Sequence, residues 1–372
     1  MPKKINTIDV LIYIIPLLLL SISVSLIFSL VFSSEDSGLA QKQLFIGLFS
    51  AGCMILFSFF DYRGLKNFWW VIYSISIVLL VYVDLFGKVS GGAMRWIDIG
   101  FTQIHPSEIA KLGLIISLAT FFADKTSKIS IKDLSWSLLI FVVPVLLILK
   151  EPDLGTAIVV FFILLGVIFA AKPNRGQKTF IISTILAMLI IFAFASMNVK
   201  PFNGLLQQYQ RERVLSFIDP ERDPYGQGYN VKQAQIAIGS GGLFGKGLGR
   251  GSQSQLEYLP KPHTDFIFAG AGEALGFFGT SLIILLELLI VMRVYSIAQV
   301  AQDNFGMLLC SGTAAMFLSQ SIINIGMNLG LAPVTGIPLP FLSSGGTSLL
   351  ICFISLGVVQ SIYIRHKRLS FS

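Results

Sequence analysis

Few residues in this chain are equipped for acid–base or ionic chemistry, and most of them stand at the edges of apolar runs. Asp265, in HTDFIFAGAGE, marks where a long polar stretch ends and an apolar one begins. An ionisable group at a membrane rim is costly unless it has a task, so Asp265 is the first candidate for a general base. Glu108 and Lys111 follow Pro106 in IHPSEIAKLG, a spacing that puts both on one face of a helix. They neutralise each other, either as a structural ion pair or along a substrate path. Gln320, Asn324 and Asn328 recur every four residues and draw a polar stripe, which should face a bundle interior or a wet cavity.

The stretch near 198–264 adds cations and glycines. Arg211, Arg213 and Arg222 surround FIDPERDPYGQGYN, and GSGGLFGKGLGRG at 239–251 holds seven glycines with Lys246 and Arg250. Converging glycine N–H groups and basic side chains can cradle an anion, whereas plain flexible turns are the alternative. The run is neither a Walker A loop nor a dinucleotide fingerprint. Of three histidines, His105 lies three before Glu108 and His263 two before Asp265. Together they would suit Mn²⁺ or Zn²⁺ better than Mg²⁺, or would simply form hydrogen bonds at the rim.

The elements that must position these residues are apolar helices. The 372 residues are 54% hydrophobic and 13% charged, with a mean hydropathy of +0.77. Segments near 9–33, 43–60, 66–87, 107–123, 134–149, 154–171, 179–197, 265–293, 305–331 and 344–364 each read as a span of a hydrocarbon core about 30 Å thick. The expected fold is an all-α polytopic membrane helix bundle of about ten transmembrane helices, one domain over 1–372, with both termini on one side. With the N-terminus inside, fourteen Lys and Arg fall in cytoplasmic segments and four (Lys42, Lys88, Arg95 and Lys150) in short outer ones. That bias directs the long loop outward and the termini to the cytoplasm. The first run follows Lys3 and Lys4 as a signal peptide would, but its length and lack of a small-residue cleavage pattern favour a retained helix. The net charge of +7 then reflects lipid-facing helix ends and not nucleic-acid binding. Cys53, Cys310 and Cys352 all fall within spans, which argues against disulfides or a cysteine metal site.

The runs RWIDIGF, HPSEIAKLG, EPDLGTA, FIDPERDPYGQGYNVKQAQIAIGSGGLFGKGLGRGSQSQLEYLPKPHTDFIFA and NLGLAPVTGIPLPFLSSGG, in this order, resemble the shape, elongation, division and sporulation (SEDS) proteins of bacterial wall synthesis. QSQLEYLP and TGIPLPF look more like the rod-shape branch than the division branch. The resemblance implies a ten-helix peptidoglycan glycosyltransferase in the bacterial cytoplasmic membrane. Such an enzyme polymerises lipid II on the outer face, alongside membrane lipids and a class B penicillin-binding transpeptidase. It places the family's essential aspartate at Asp265 and its charged helix pair at Glu108 and Lys111. Ser344, Ala274 and His105 depart from the family's usual Tyr, Glu and Gln.

A single carboxylate suits that reaction. Displacing pyrophosphate from an α-linked sugar with inversion needs a base for the acceptor hydroxyl but no acid for the leaving group, unlike glycoside hydrolysis. The growing pyrophosphate charge needs cations, here Arg95, Arg211, Arg213, Lys246 or Arg250, or a divalent ion such as Mg²⁺ or Mn²⁺. No dedicated metal ligands are assigned. Two other classes share some of these features: a lipid-linked sugar flippase or transporter, and a noncatalytic scaffold for a transpeptidase. Clustering of the distinctive residues at the outer rim favours the transferase over a midplane transport path.

Overall fold

The computed structural model describes residues 8–31, 38–90, 93–100, 103–125, 129–196, 208–219, 223, 226–259 and 261–366. Arg222 lies outside them. All ten expected segments are helical: α1 (Val10–Leu30), α2 (Leu39–Phe59), α4 (Trp69–Phe86), α5 (Pro106–Ala123), α6 (Ile131–Lys150), α7 (Leu154–Ala170), α8 (Arg175–Ser196), α12 (Ile267–Val300), α13 (Asn304–Asn328) and α14 (Gly346–Ile364). Among the described residues eight helices are long and apolar enough to span a membrane; α7 is apolar but shorter, and α8 falls outside that group. A short α3 (Arg63–Asn67) and a three-stranded antiparallel sheet, β1 (Lys88–Ser90), β2 (Ala93–Asp98) and β3 (Gln103–Ile104), fill two connections. The long loop is not featureless, since it contains α9 (Gln208–Ile218), α10 (Gln227–Ser240) and α11 (Ser252–Gln255).

α5, α13 and α14 are mostly buried and form the bundle's centre, whereas α2, α4 and α6 turn apolar side chains such as Phe45, Leu85 and Leu146 outward. That inversion of the soluble pattern is what a lipid solvent permits. Ion pairs gather at the end that carries the basic loops: Arg293 with Asp9, Arg63 with Asp303, Lys66 with Asp124 and Lys125 with Asp133. Asp9 and Asp303 also cap α1 and α13, so one carboxylate satisfies helix N–H groups and a neighbouring cation together.

α12 is interrupted. Gly276 has non-helical angles, φ 67° and ψ −164°, and divides the 34-residue helix in two. Its neighbours show why. Ser321 of α13 bonds Glu287, and Asn328 bonds the N–H of Ala269. Those contacts are seven residues apart on α13 but eighteen on α12, about 10 Å against about 27 Å of straight helix. The segment before Gly276 must therefore turn aside across the end of the bundle.

Within the span α5, Glu108 and Lys111 pair at 2.7 Å, and both residues are buried. Removing one charge strands the other in a poor solvent, so Glu108→Gln or Lys111→Met should each destabilise the bundle by about 3–5 kcal/mol. Glu108→Gln with Lys111→Met together should recover most of that loss. Thermal unfolding of the detergent-solubilised variants checks it; equally mild effects in both singles would mean that the pair is not buried.

Candidate functional site

Asp265 lies two residues before α12 at the end opposite the basic loops. The polar stripe of α13 holds it in place. Nδ2 of Asn324 and Nδ2 of Asn328 each donate to the Asp265 main-chain oxygen at 3.1 Å. Asn324 also reaches the Ile337 carbonyl at 2.7 Å, while Oδ1 of Asn328 accepts the Ala269 N–H at 3.0 Å. Gln320, the third member, is fully buried and takes no part in this clamp. From the other side Ser343 Oγ donates to the Thr264 carbonyl at 2.7 Å, and the Ser344 N–H to the His263 carbonyl at 2.9 Å. The Ser344 contact uses the main chain, so the family's departure at that side chain leaves it untouched.

The half-buried Asp265 is thus fixed through its backbone, and its environment tunes the carboxyl. Burial pushes its pKa up, while Lys261, Arg213, a Thr264 hydrogen bond and His263 limit the rise. Arg213, on α9, donates to the Thr335 carbonyl at 3.2 Å. Gly336, at φ +75°, passes close over the carboxylate: a β-carbon there would lie 3.5 Å from Oδ2.

The strap 335–337 joins this group to a second one. Gly155 packs beneath it so closely that a β-carbon would sit 2.7 Å from Ile337 Cγ1 and 3.0 Å from the Thr335 carbonyl oxygen. Just before Gly155, Asp153 caps α7 through the Thr156 N–H and hydroxyl. Arg95, on β2, donates to the carbonyls of Glu151 at 2.9 Å and Pro152 at 2.5 Å. It is a brace for the EPDLG turn as well as a local charge. Burial works against the Asp153 carboxylate, but Arg95, His105 and the Thr156 bonds together hold it below the usual range. His105 packs edge-on to Trp96, with Nδ1 2.5 Å from Ser107 Oγ and Nε2 3.9 Å from Asp153. Burial pushes the imidazole below its ordinary pKa, so at neutral pH the last contact is not an ion pair. Beside it Glu151 is buried, neither carboxyl oxygen has a hydrogen-bond partner among the described residues, and burial followed by Asp153 raises it to about 9.

Lys246 finds its partner in Glu273, Nζ to Oε1 at 3.0 Å, and also donates to Ser252. Its charge is committed to anchoring the glycine loop on α12. Arg250 is exposed at that loop, and Arg211 is partly buried on α9. Glu273 does not share a helix with Asp265, which precedes α12. Ala274, where a second Glu is usual in the family, packs in the core, and its carbonyl accepts the Gly247 N–H. The donors around Asp265 do not fit a resident divalent cation, since its charged neighbours are cations and, among the described residues, no three His, Cys, Asp or Glu converge. His105 is engaged with Ser107 and Asp153, away from any such cage. Sequence reasoning missed Lys261, four residues before Asp265, and the Glu151–Asp153–Arg95 group. The run EPDLGTA was visible as a motif, but its burial was not.

A family model described as "Cell cycle protein", named for FtsW, RodA and SpoVE, matches residues 4–368. The chain is 38% identical to the peptidoglycan glycosyltransferase MrdB of Escherichia coli K12, covering 91% of this chain and 90% of that protein. It is 32% identical to the peptidoglycan glycosyltransferase RodA of Treponema pallidum, covering 98% and 99%. Among solved structures it is similar to a chain of a peptidoglycan synthase complex described as coordinating polymerization and crosslinking. That match has a TM-score of 0.78 and 30% identity, over 96% of this chain and 97% of that one.

Two outcomes follow from the geometry. Glu273 keeps bonds from the Gln253 N–H, the Ser254 N–H and the Ser254 hydroxyl when Lys246 is lost. Glu273→Ala should therefore lower the melting temperature, and loosen the loop to protease, more than Lys246→Ala; the reverse order would mean that Glu273 is not the anchor. Glu151 binds its proton more tightly folded than unfolded, where its pKa is about 4.3. The stability it contributes is full below that value and is lost as pH rises towards about 9. Glu151→Gln should thus raise the melting temperature at pH 8 relative to the parent and leave it unchanged near pH 4; no difference at pH 8 would contradict a neutral Glu151.

Proposed function

The chain belongs to the cell cycle protein family of FtsW, RodA and SpoVE and is a peptidoglycan glycosyltransferase, and from that premise we propose that it joins lipid II units with Asp265 as general base. The observation that carries this reading is the clamped, half-buried Asp265, with its backbone fixed by Asn324 and Asn328 and its pKa raised by burial. The acceptor sugar's hydroxyl oxygen attacks the donor's anomeric carbon as its proton passes to Asp265. The bond from that carbon to the pyrophosphate oxygen breaks, and the electron pair leaves with undecaprenyl pyrophosphate. Attack opposite the leaving group inverts the anomeric centre.

Arg213 and Lys261 are the cations nearest in influence to the base, so they are assigned to the developing phosphate charge. Arg211 and Arg250 are secondary candidates at the same end; Lys246 is held by Glu273, and Arg95 braces the Glu151 and Pro152 carbonyls. Glu108 and Lys111 lie deeper, on α5, where they would border the path of the lipid carrier. The described residues offer no cage for Mg²⁺ or Mn²⁺, so in this reading Arg213 and Lys261 carry the phosphate charge. The multi-pass bundle carries its basic loops at the end opposite Asp265. The positive-inside bias supports the outer face of the bacterial cytoplasmic membrane as the side on which the reaction runs. Similarity to a chain of a peptidoglycan synthase complex supports a class B penicillin-binding transpeptidase as partner.

Purified protein in liposomes with labelled lipid II, scored for polymer on gels, tests the assignment. Asp265→Asn should insert normally and lose about 10²–10⁴ in rate, because the amide accepts no proton. In the parent, kcat/KM should rise with pH through a midpoint above the ordinary aspartate value of about 3.9. An Asp265→Asn variant that polymerises at the parental rate removes Asp265 from the chemistry.

A further inference from the structure

The glycine run 239–251, which on sequence alone left an anion cradle and plain flexible turns open, packs against a specific neighbour. It folds into a lobe seated in the break of α12. Four main-chain bonds join them: Lys246 N–H to the Glu273 carbonyl, Gly247 N–H to Ala274, Phe277 N–H to Gly242 and Phe278 N–H to Leu243. A β-carbon on Gly276 would lie 2.2 Å from the Gly245 nitrogen, so only glycine admits this contact. The lobe's one central charge, Lys246, is neutralised by Glu273. The N–H groups of Gly242, Gly245, Lys246 and Gly247 are thus paired inside the protein, which lowers the cost of non-helical chain at membrane depth.

Two helices act as rulers for depth. Arg293 is bonded to Asp9, which sets a common level at the basic end. From Asp9, α1 climbs twenty residues, about 30 Å, to Ser29, which is one hydrocarbon thickness. Ser29 Oγ accepts the Gly249 N–H at 2.7 Å, and its carbonyl accepts from Gln255 at 2.7 Å, so the upper part of the lobe is at the outer rim. From Arg293, α12 climbs only sixteen residues, about 24 Å, to Phe277. The lobe's tip meets α12 there, with the Phe244 and Phe278 rings 5.3 Å apart. Counted along the helices from that ion pair, the tip is nearer the basic end than Ser29 by about four residues of rise.

What the tip shows at that depth is apolar. Phe244 is 80% exposed, and Leu243, Phe277 and Phe278 are exposed beside it. The patch continues the outward stripe of α12 through Leu282, Leu285 and Met292. Arg250 is exposed on the rim side, where a long cationic side chain reaches headgroups. We propose that residues 241–251 are a re-entrant membrane lobe whose Leu243–Phe244 tip inserts among the acyl chains of the outer leaflet.

The test uses the full chain with Cys53, Cys310 and Cys352 replaced by Ala, retained only if lipid II polymerisation persists. A nitroxide is attached at Phe244→Cys, with Leu243→Cys as the second reporter should the first not fold, and at Arg250→Cys as the rim control. Each is reconstituted in phosphatidylethanolamine and phosphatidylglycerol vesicles, and collisions with oxygen and with a water-soluble nickel chelate are compared by power saturation. At the tip the oxygen-to-nickel ratio should exceed that at Arg250→Cys several-fold. Equal ratios at tip and rim would place the lobe in water and overturn the proposal. Low access to both reagents would show that protein, from a second copy, covers the tip, and would overturn it as well.

Discussion

The outer half of this molecule depends on how main-chain groups are satisfied where α12 stops being helical. A helix of 34 residues is longer than a bilayer core needs, and breaking it inside the membrane region exposes N–H and C=O groups that lipid cannot pair. Here the glycine lobe supplies partners at the break, with Gly276 allowing the approach. The segment before the break is then free to cross the bundle end, where Asn324 and Asn328 grip it. Asp265 stands at the start of that crossing segment, so its position is set from both directions.

Charge is handled by a consistent rule, with informative exceptions. Inside the bundle Glu108 is paired with Lys111, and at the rim Glu273 with Lys246, because a lone charge in apolar surroundings costs several kcal/mol. Asp265 is gripped by its main chain, and its carboxyl answers to Lys261, Arg213 and His263 through space. Glu151 has lost its solvent without gaining donors among the described residues, and it keeps its proton instead.

Much of this was legible in the sequence, in proportion to how local the signal was. The ten helices announce themselves as apolar runs, and the pairing of Glu108 with Lys111 follows from three-residue spacing on one helix. The stripe of Gln320, Asn324 and Asn328 was legible as a face, but which carbonyl it would hold depends on a segment some 60 residues away in the chain, beyond any periodic signal. The glycine run left an anion nest and plain flexible turns open, and its close packing on Gly276, which is neither, depends on a residue outside the run. Lys246 was misleading for the same reason: its partner is 27 residues further on.

Burial and cations act on Asp265 in opposite directions, and the proposed role as base would use both. A carboxylate in water is a weak base for a sugar hydroxyl, and moving it out of water raises its proton affinity at the cost of disfavouring the charged form it must hold. Lys261 and Arg213 offset part of that cost, easing the carboxyl back towards the charged form while burial keeps its proton affinity raised. In the proposed reaction the same two cations would also meet the negative charge that grows as pyrophosphate departs, so one electrostatic arrangement would serve the base and the leaving group. A second carboxylate close to Asp265 would push its pKa up further and repel the phosphates. Glu151 and Asp153, across the strap, are kept from doing so by protonation in the first case and by Arg95 in the second.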